Sequence, residues 1–161
     1  MTSDDIEIAA SYVPSRFCVY RDINVDHETI DLIAIGKSIM VMIDVRHDTG
    51  RVRAHGRYGG GTVLSLNRQP FPDGDPLQNV THKLFALKKF LHRKAGVKIP
   101  IFPVICFPAK TPTFVDLPYT EALTPLQIHV MKRTCLGSYF EYKEKRFHPS
   151  HSISETYTKV V

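Results

Sequence analysis

The sequence predicts an α/β or α+β fold, a central β-sheet covered by helices, and three features carry that prediction. Residues 29–35 (TIDLIAI) and 39–46 (IMVMIDVR) are β-rich runs that are apolar on both faces, as in strands lying in the middle of a sheet covered on each side. Residues 76–95 place apolar side chains at helical spacing. A third apolar run, 100–107 (PIFPVICF), again reads as a strand. With 161 residues, 43% hydrophobic and 23% charged, the chain is long enough to bury a core without disulfide or metal staples, and its composition argues against global disorder.

In chain order, Ser3 can cap a short helix running to about Tyr12, with Asp4, Asp5 and Glu7 in or near its first turn, where the helix dipole favours negative charge. Pro14 ends it. The segment from Phe17 to Val25 reads as a strand, followed by a polar turn at Asp26, His27 and Glu28. The two central runs come next, joined through Gly36, Lys37 and Ser38 as a hairpin. After Gly50, RVRAHGRYGGGTVLSL predicts a more exposed hairpin turning at Gly59, Gly60 and Gly61. No GKS or GKT follows those glycines, so they read as a plain turn and not as a phosphate cradle.

Asp75 caps the 76–95 helix and Pro76 takes its first position; Leu77, Val80, Leu84, Leu87 and Leu91 form the buried stripe, and the helix closes near Gly96. Beyond the 100–107 strand, Thr113 to Val115 predicts a short strand. Thr124, with Pro125 behind it, predicts a last helix through about Leu136, ending at Gly137. Residues 1–149 read as one domain and 150–161 as a polar tail expected to be mobile.

The formal net charge is +5, with the excess concentrated at 82–98 and at 143–146. That distribution fits a polyanion partner, although charge alone favours a solvated helix face. Cys18, Cys106 and Cys135 are widely spaced and odd in number, which predicts inert core thiols in a reducing setting, without a disulfide framework or zinc ribbon. No stretch is long and apolar enough to span a bilayer, so the expectation is a soluble cytoplasmic protein with no membrane partner.

The chemistry concentrates in the central hairpin. If residues 36–39 form a four-residue loop, Asp31 falls directly opposite Asp44; a two-residue loop puts Asp44 on the diagonal. Either way both carboxylates share one face, with Cβ atoms about 5 to 8 Å apart. Arg46 shares that face by the period of two in a strand. A carboxylate pair in a protected sheet is driven towards protonation unless a cation such as Mg²⁺ takes oxygens from both, the alternative being a buried ion cluster with Arg46.

An Asp on one strand followed by an acidic-x-basic triplet on the next resembles the metal-binding core of the PD-(D/E)xK nuclease superfamily. The longer run, roughly residues 15–136, resembles its nuclease-related domain (NERD) family. Ile30, Asp31 and Leu32 match that family's first strand element; Asp44, Val45 and Arg46 stand where its E-x-K triplet belongs; Gly50 follows; and DPLQNVTHKLFALKKFL, with Pro76 and Gln78, matches its helix element. Asp replaces the family's Glu, Arg replaces its Lys, and its tryptophan is missing. Its N-terminal Gly-Glu element has only Glu7 as a nearby acid here.

The resemblance implies a mixed sheet with a restriction-endonuclease-like core, and a Mg²⁺- or Mn²⁺-dependent endonuclease hydrolysing DNA phosphodiesters. Asp31 and Asp44 would hold the ion, with the Val45 carbonyl as a further ligand. Arg46 would stabilise the transition state, Gln78 would position water or phosphate, and Lys83, Lys88, Lys89, Arg93 and Lys94 would bind the DNA backbone. The rival is a degenerate relative that binds DNA or a partner protein, with a homodimer as a further possibility. Elsewhere, His148 and His151 have an H-x-x-H spacing in a polar tail and read as coincidence; His82 and His92 read as surface residues, and alternation points His47 away from the acids.

Overall fold

Both apolar runs lie inside a six-stranded sheet in the computed structural model, which describes residues 3–56, 61–96 and 100–147. Its strands are β1 (Cys18–Val25), β2 (Glu28–Ile35), β3 (Met40–Val45), β4 (Arg51–Gly56), β5 (Thr62–Leu66), β6 (Ile101–Phe107), β7 (Phe114–Val115), β8 (Ala122–Leu123) and β9 (Ile128–Lys132). Its helices are α1 (Ser3–Ser11), α2 (Pro76–Ala95) and α3 (Leu136–Arg146). The large sheet runs β1-β2-β3-β6-β9-β8, and a smaller one runs β5-β4-β7. The large sheet is mixed: β1, β2 and β3 are antiparallel neighbours, β6 and β9 continue in parallel from β3, and β8 returns antiparallel. This is an α+β fold with helices on both faces of the sheet.

Strands buried on two sides need two cores. Ile33, Ile35, Met40 and Met42 face α2, meeting Val80, Leu84, Leu87 and Leu91 together with Val52 and Leu64 of the smaller sheet. The alternate residues Leu32, Ala34, Val41 and Ile43 face the other way, against Ile6 and Ala9 of α1 and Tyr139 and Phe140 of α3. The period of two in a strand produces this division.

Helix α2 follows its sequence signals. The Asp75 carboxylate accepts from the Leu77 N–H at 3.1 Å. At the other end Gly96 takes a left-handed φ of 74° and donates its N–H to the His92 carbonyl at 2.9 Å. The β2–β3 hairpin adopts the four-residue loop: Ile35 pairs with Met40, and the Gly36 N–H donates to the Ile39 carbonyl at 2.9 Å. Gly36 lies under the Phe17 ring so closely that a Cβ there would come within 2.4 Å of it.

The last predicted helix is corrected. Residues 124–136 hold a turn, strand β9 and a short 3-10 helix at Arg133–Cys135, and α3 begins where the expected helix was to end. Thr124 and Gln127 adopt positive φ of 65° and 57°, and Thr124 Oγ1 accepts from the Leu126 N–H, which turns the chain back on itself. Ile128 and Val130 then enter one core and Met131 the other. A short run apolar on both sides satisfies helix and strand templates alike, and pairing with β6 decides between them. Gly59, Gly60, His148, His151 and the 150–161 tail lie outside the described residues. No helix among the described residues is long and apolar enough to cross a membrane.

Candidate metal centre

Continuing the β2–β3 register one step past Leu32 and Ile43 sets Asp31 opposite Asp44, on the face that carries Ile33 and Met42 towards α2. Both are buried, with 9% and 5% exposure. The Val45 N–H donates to Asp31 Oδ2 at 2.8 Å. Burial raises the Asp31 carboxyl above its ordinary range and the neighbouring Asp44 charge adds to this, outweighing the Val45 N–H and a more distant ammonium, Lys83. The pair is therefore short of positive charge on the Asp31 side.

On the Asp44 side that charge comes from α2. Lys83 Nζ donates to Asp44 Oδ1 at 2.8 Å, and its side chain keeps 21% exposure. Burial works against the ammonium, but Asp44, helped by Asp31 and Glu28, outweighs it and leaves the Lys83 pKa raised. Lys83 was expected on a DNA-facing surface; the helix instead turns it onto the acids. Asn79, His82 and Lys83 line the same cleft as Glu28, Asp31 and Asp44 because positions i, i+3 and i+4 share a helix face. His82 is exposed, as expected, but stands at this rim.

Arg46 also lines the cleft, yet its guanidinium is committed elsewhere. Its Nε donates to Asp48 Oδ1 at 2.8 Å and its Nη2 to Asp73 Oδ1 at 2.9 Å, while its plane lies over the Phe71 ring at 5.2 Å. Burial alone would depress its pKa; Asp73 and Asp48 more than reverse that, and Arg46 in turn holds Asp73 below the usual carboxylate range. Arg46 as a whole is 7% exposed. Strand β3 ends at Val45, so the alternation that was to direct Arg46 and His47 no longer binds them. His47 lines the cleft, contrary to the expected opposite face.

Other sequence-predicted residues lie apart. Gln78 faces a different hollow, with Gly61, Thr62 and Thr124, because it sits one position before Asn79 on the turning helix. Lys88, Lys89, Arg93 and Lys94 are exposed and do not line the cleft; Arg93 pairs with Asp26 at 3.0 Å. Glu7 pairs with Arg21 on the surface and is no part of the site. Of the three thiols, Cys106 is buried and pushed up to about 12, fitting an inert core residue, whereas Cys18 is exposed, a correction to its expected burial.

Among the described residues no three His, Cys, Asp or Glu side chains converge as a metal-binding group. Of the acids lining the cleft, Asp31 and Asp44 face each other across the strands, and beside them stands the Val45 carbonyl, which in an extended chain points to the same side as the Val45 N–H that reaches Asp31. Hard oxygen donors in so small a number fit Mg²⁺ or Mn²⁺, which keep several waters and take one or two carboxylates, and do not fit the closed nitrogen and sulfur cage of a structural zinc.

A mixed sheet between helices, with acids abreast where the pairing of two inner strands ends, is an α+β architecture consistent with a nuclease-like core. The family model described as nuclease-related domain, NERD, matches residues 6–108, and the chain belongs to that family. The match runs from α1 through β6 and includes Asp31, Asp44, Arg46 and Lys83. No curated protein and no solved structure matches the chain.

Proposed function

We propose that this chain is a metal-dependent endonuclease domain that hydrolyses DNA phosphodiesters in the cleft between β2, β3 and α2. The observation that carries this reading is the pair Asp31 and Asp44, buried side by side on a cleft wall with the Asp31 carboxyl held above its ordinary pKa. Such a pair is stabilised by a cation, and the donor set suits Mg²⁺ or Mn²⁺. When bound, the ion would lower the pKa of a water and offset charge on the scissile phosphate. Asp31, oriented by the Val45 N–H, and Asp44 would hold it, with the Val45 carbonyl as a third donor. Exposed Lys88, Lys89 and Lys94 on α2 suit attraction of the DNA backbone.

A second reading has its own support. Arg46, the basic residue of the triplet, is tied to Asp48 and Asp73, and among the described residues no third His, Cys, Asp or Glu joins Asp31 and Asp44 as a metal-binding group. These features favour a relative that binds DNA or a partner protein without cutting. Incubating the purified chain with supercoiled plasmid and linear DNA in Mg²⁺ or Mn²⁺ separates the two. Hydrolysis predicts nicking that EDTA abolishes and Asp44→Ala lowers by at least about a hundredfold. Absence of nicking with DNA binding unchanged in Asp44→Ala would leave the binding module.

A further inference from the structure

We propose that Lys83, and not Arg46, is the working cation of this cleft, the group that faces the phosphodiester and shares Asp44 with the divalent ion. The inference rests on the hydrolytic reading above and names the residue that supplies its positive charge. Arg46 has two donors spent on Asp48 and Asp73 and its face against Phe71, so turning it to a phosphate would break two ion pairs and unstack a ring. Its role is to clamp the loops carrying Asp48 and Asp73 to the end of β3.

Lys83 is placed differently. An ammonium carries three donors, and the structure gives one of them to Asp44 Oδ1. Its stem is long and flexible, and its partial exposure leaves the head open to the cleft. Helix α2 fixes its root, since Leu84 and Leu87 beside it are buried in the core. The ammonium therefore stands within reach of Asp44 and of any phosphate oxygen brought to that carboxylate, which is where negative charge develops when a phosphodiester is attacked. It also competes with a divalent ion for Asp44, so charge at position 83 and metal affinity are coupled.

The test compares Lys83→Gln, Lys83→Arg and Arg46→Gln in the full chain, by thermal melting, by Mn²⁺ titration followed by electron paramagnetic resonance, and by single-turnover plasmid nicking. Lys83→Gln should bind Mn²⁺ about tenfold more tightly, a competing charge having gone. Its nicking should slow by at least about a hundredfold. Lys83→Arg keeps the charge and the ion pair, so it covers the case in which Lys83→Gln fails to fold. It should hold wild-type Mn²⁺ affinity and nick at least about tenfold more slowly, because a forked plane replaces a point charge. Arg46→Gln should melt lower with Mn²⁺ affinity unchanged.

Wild-type Mn²⁺ affinity in Lys83→Gln, an unslowed Lys83→Arg, or loss of nicking in a folded Arg46→Gln alone would each overturn the assignment. If the wild type binds Mn²⁺ but does not nick, hydrolysis fails by itself, and the affinity shift in Lys83→Gln still decides whether Lys83 and the ion share Asp44.

Discussion

Burial disfavours the charged form of Asp31, and the neighbouring Asp44 charge adds to the effect. The folded-state pKa of Asp31 is raised, chiefly by burial, so the carboxyl's contribution to stability is greatest below its unfolded pKa and is lost as pH rises through the folded value. Asp31→Asn keeps an oxygen to accept from the Val45 N–H and removes the charge. It should therefore raise the melting temperature by roughly 2–4 °C at neutral pH, the equivalent of about 1 kcal/mol in a chain of this size, with the gain vanishing in acid. Melting curves from acid to neutral pH check this; a lower melting temperature at neutral pH would show that the charge is already fully compensated by the protein. The pairing of Asp31 with Asp44 was legible in the sequence, because the period of two fixes which residues share a face. Lys83 was legible only as a basic residue, since its partner lies 39 positions away and only the docking of α2 joins them.

Among the elements, α2 was readable almost residue by residue. Cap, first-turn proline, leucine stripe and closing glycine are local signals that agree with one another, and the tertiary structure had nothing to override. The β2–β3 hairpin was readable as a pair of strands but open in register until the loop length was known, and the Gly36 loop settles it. Phe17 packs at 4.6 Å centroid to centroid on Phe140 of α3, and its ring occupies the space a side chain at position 36 would need. Gly36→Ala should cost about 1–3 kcal/mol through overpacking, measured by denaturant unfolding, and an unchanged midpoint would contradict the packing described. The segment 124–136 could not be read correctly, because neither its turn nor the pairing of β9 with β6 leaves a mark that a helix would not also leave.

The whole molecule follows from strands that are apolar on both faces. They demand cover on each side, which α2 with the small sheet provides on one and α1 with α3 on the other, and this much of the fold was legible in the sequence. The small sheet was not fully visible: β7 is two residues long and joins β4 only because the fold brings the two together. Its hairpin strands, β4 and β5, follow β3 directly, and the segment beyond them carries Phe71 and Asp73, which receive Arg46 and free the floor of the cleft for the acids and Lys83. Whether Asp31 and Asp44 together hold the proposed ion can be read from anomalous diffraction by crystals of the chain grown with Mn²⁺. A metal centre there gives a single strong peak within about 2.5 Å of a carboxylate oxygen of both residues. A peak elsewhere, or none with Lys83 still bonded to Asp44, would contradict it.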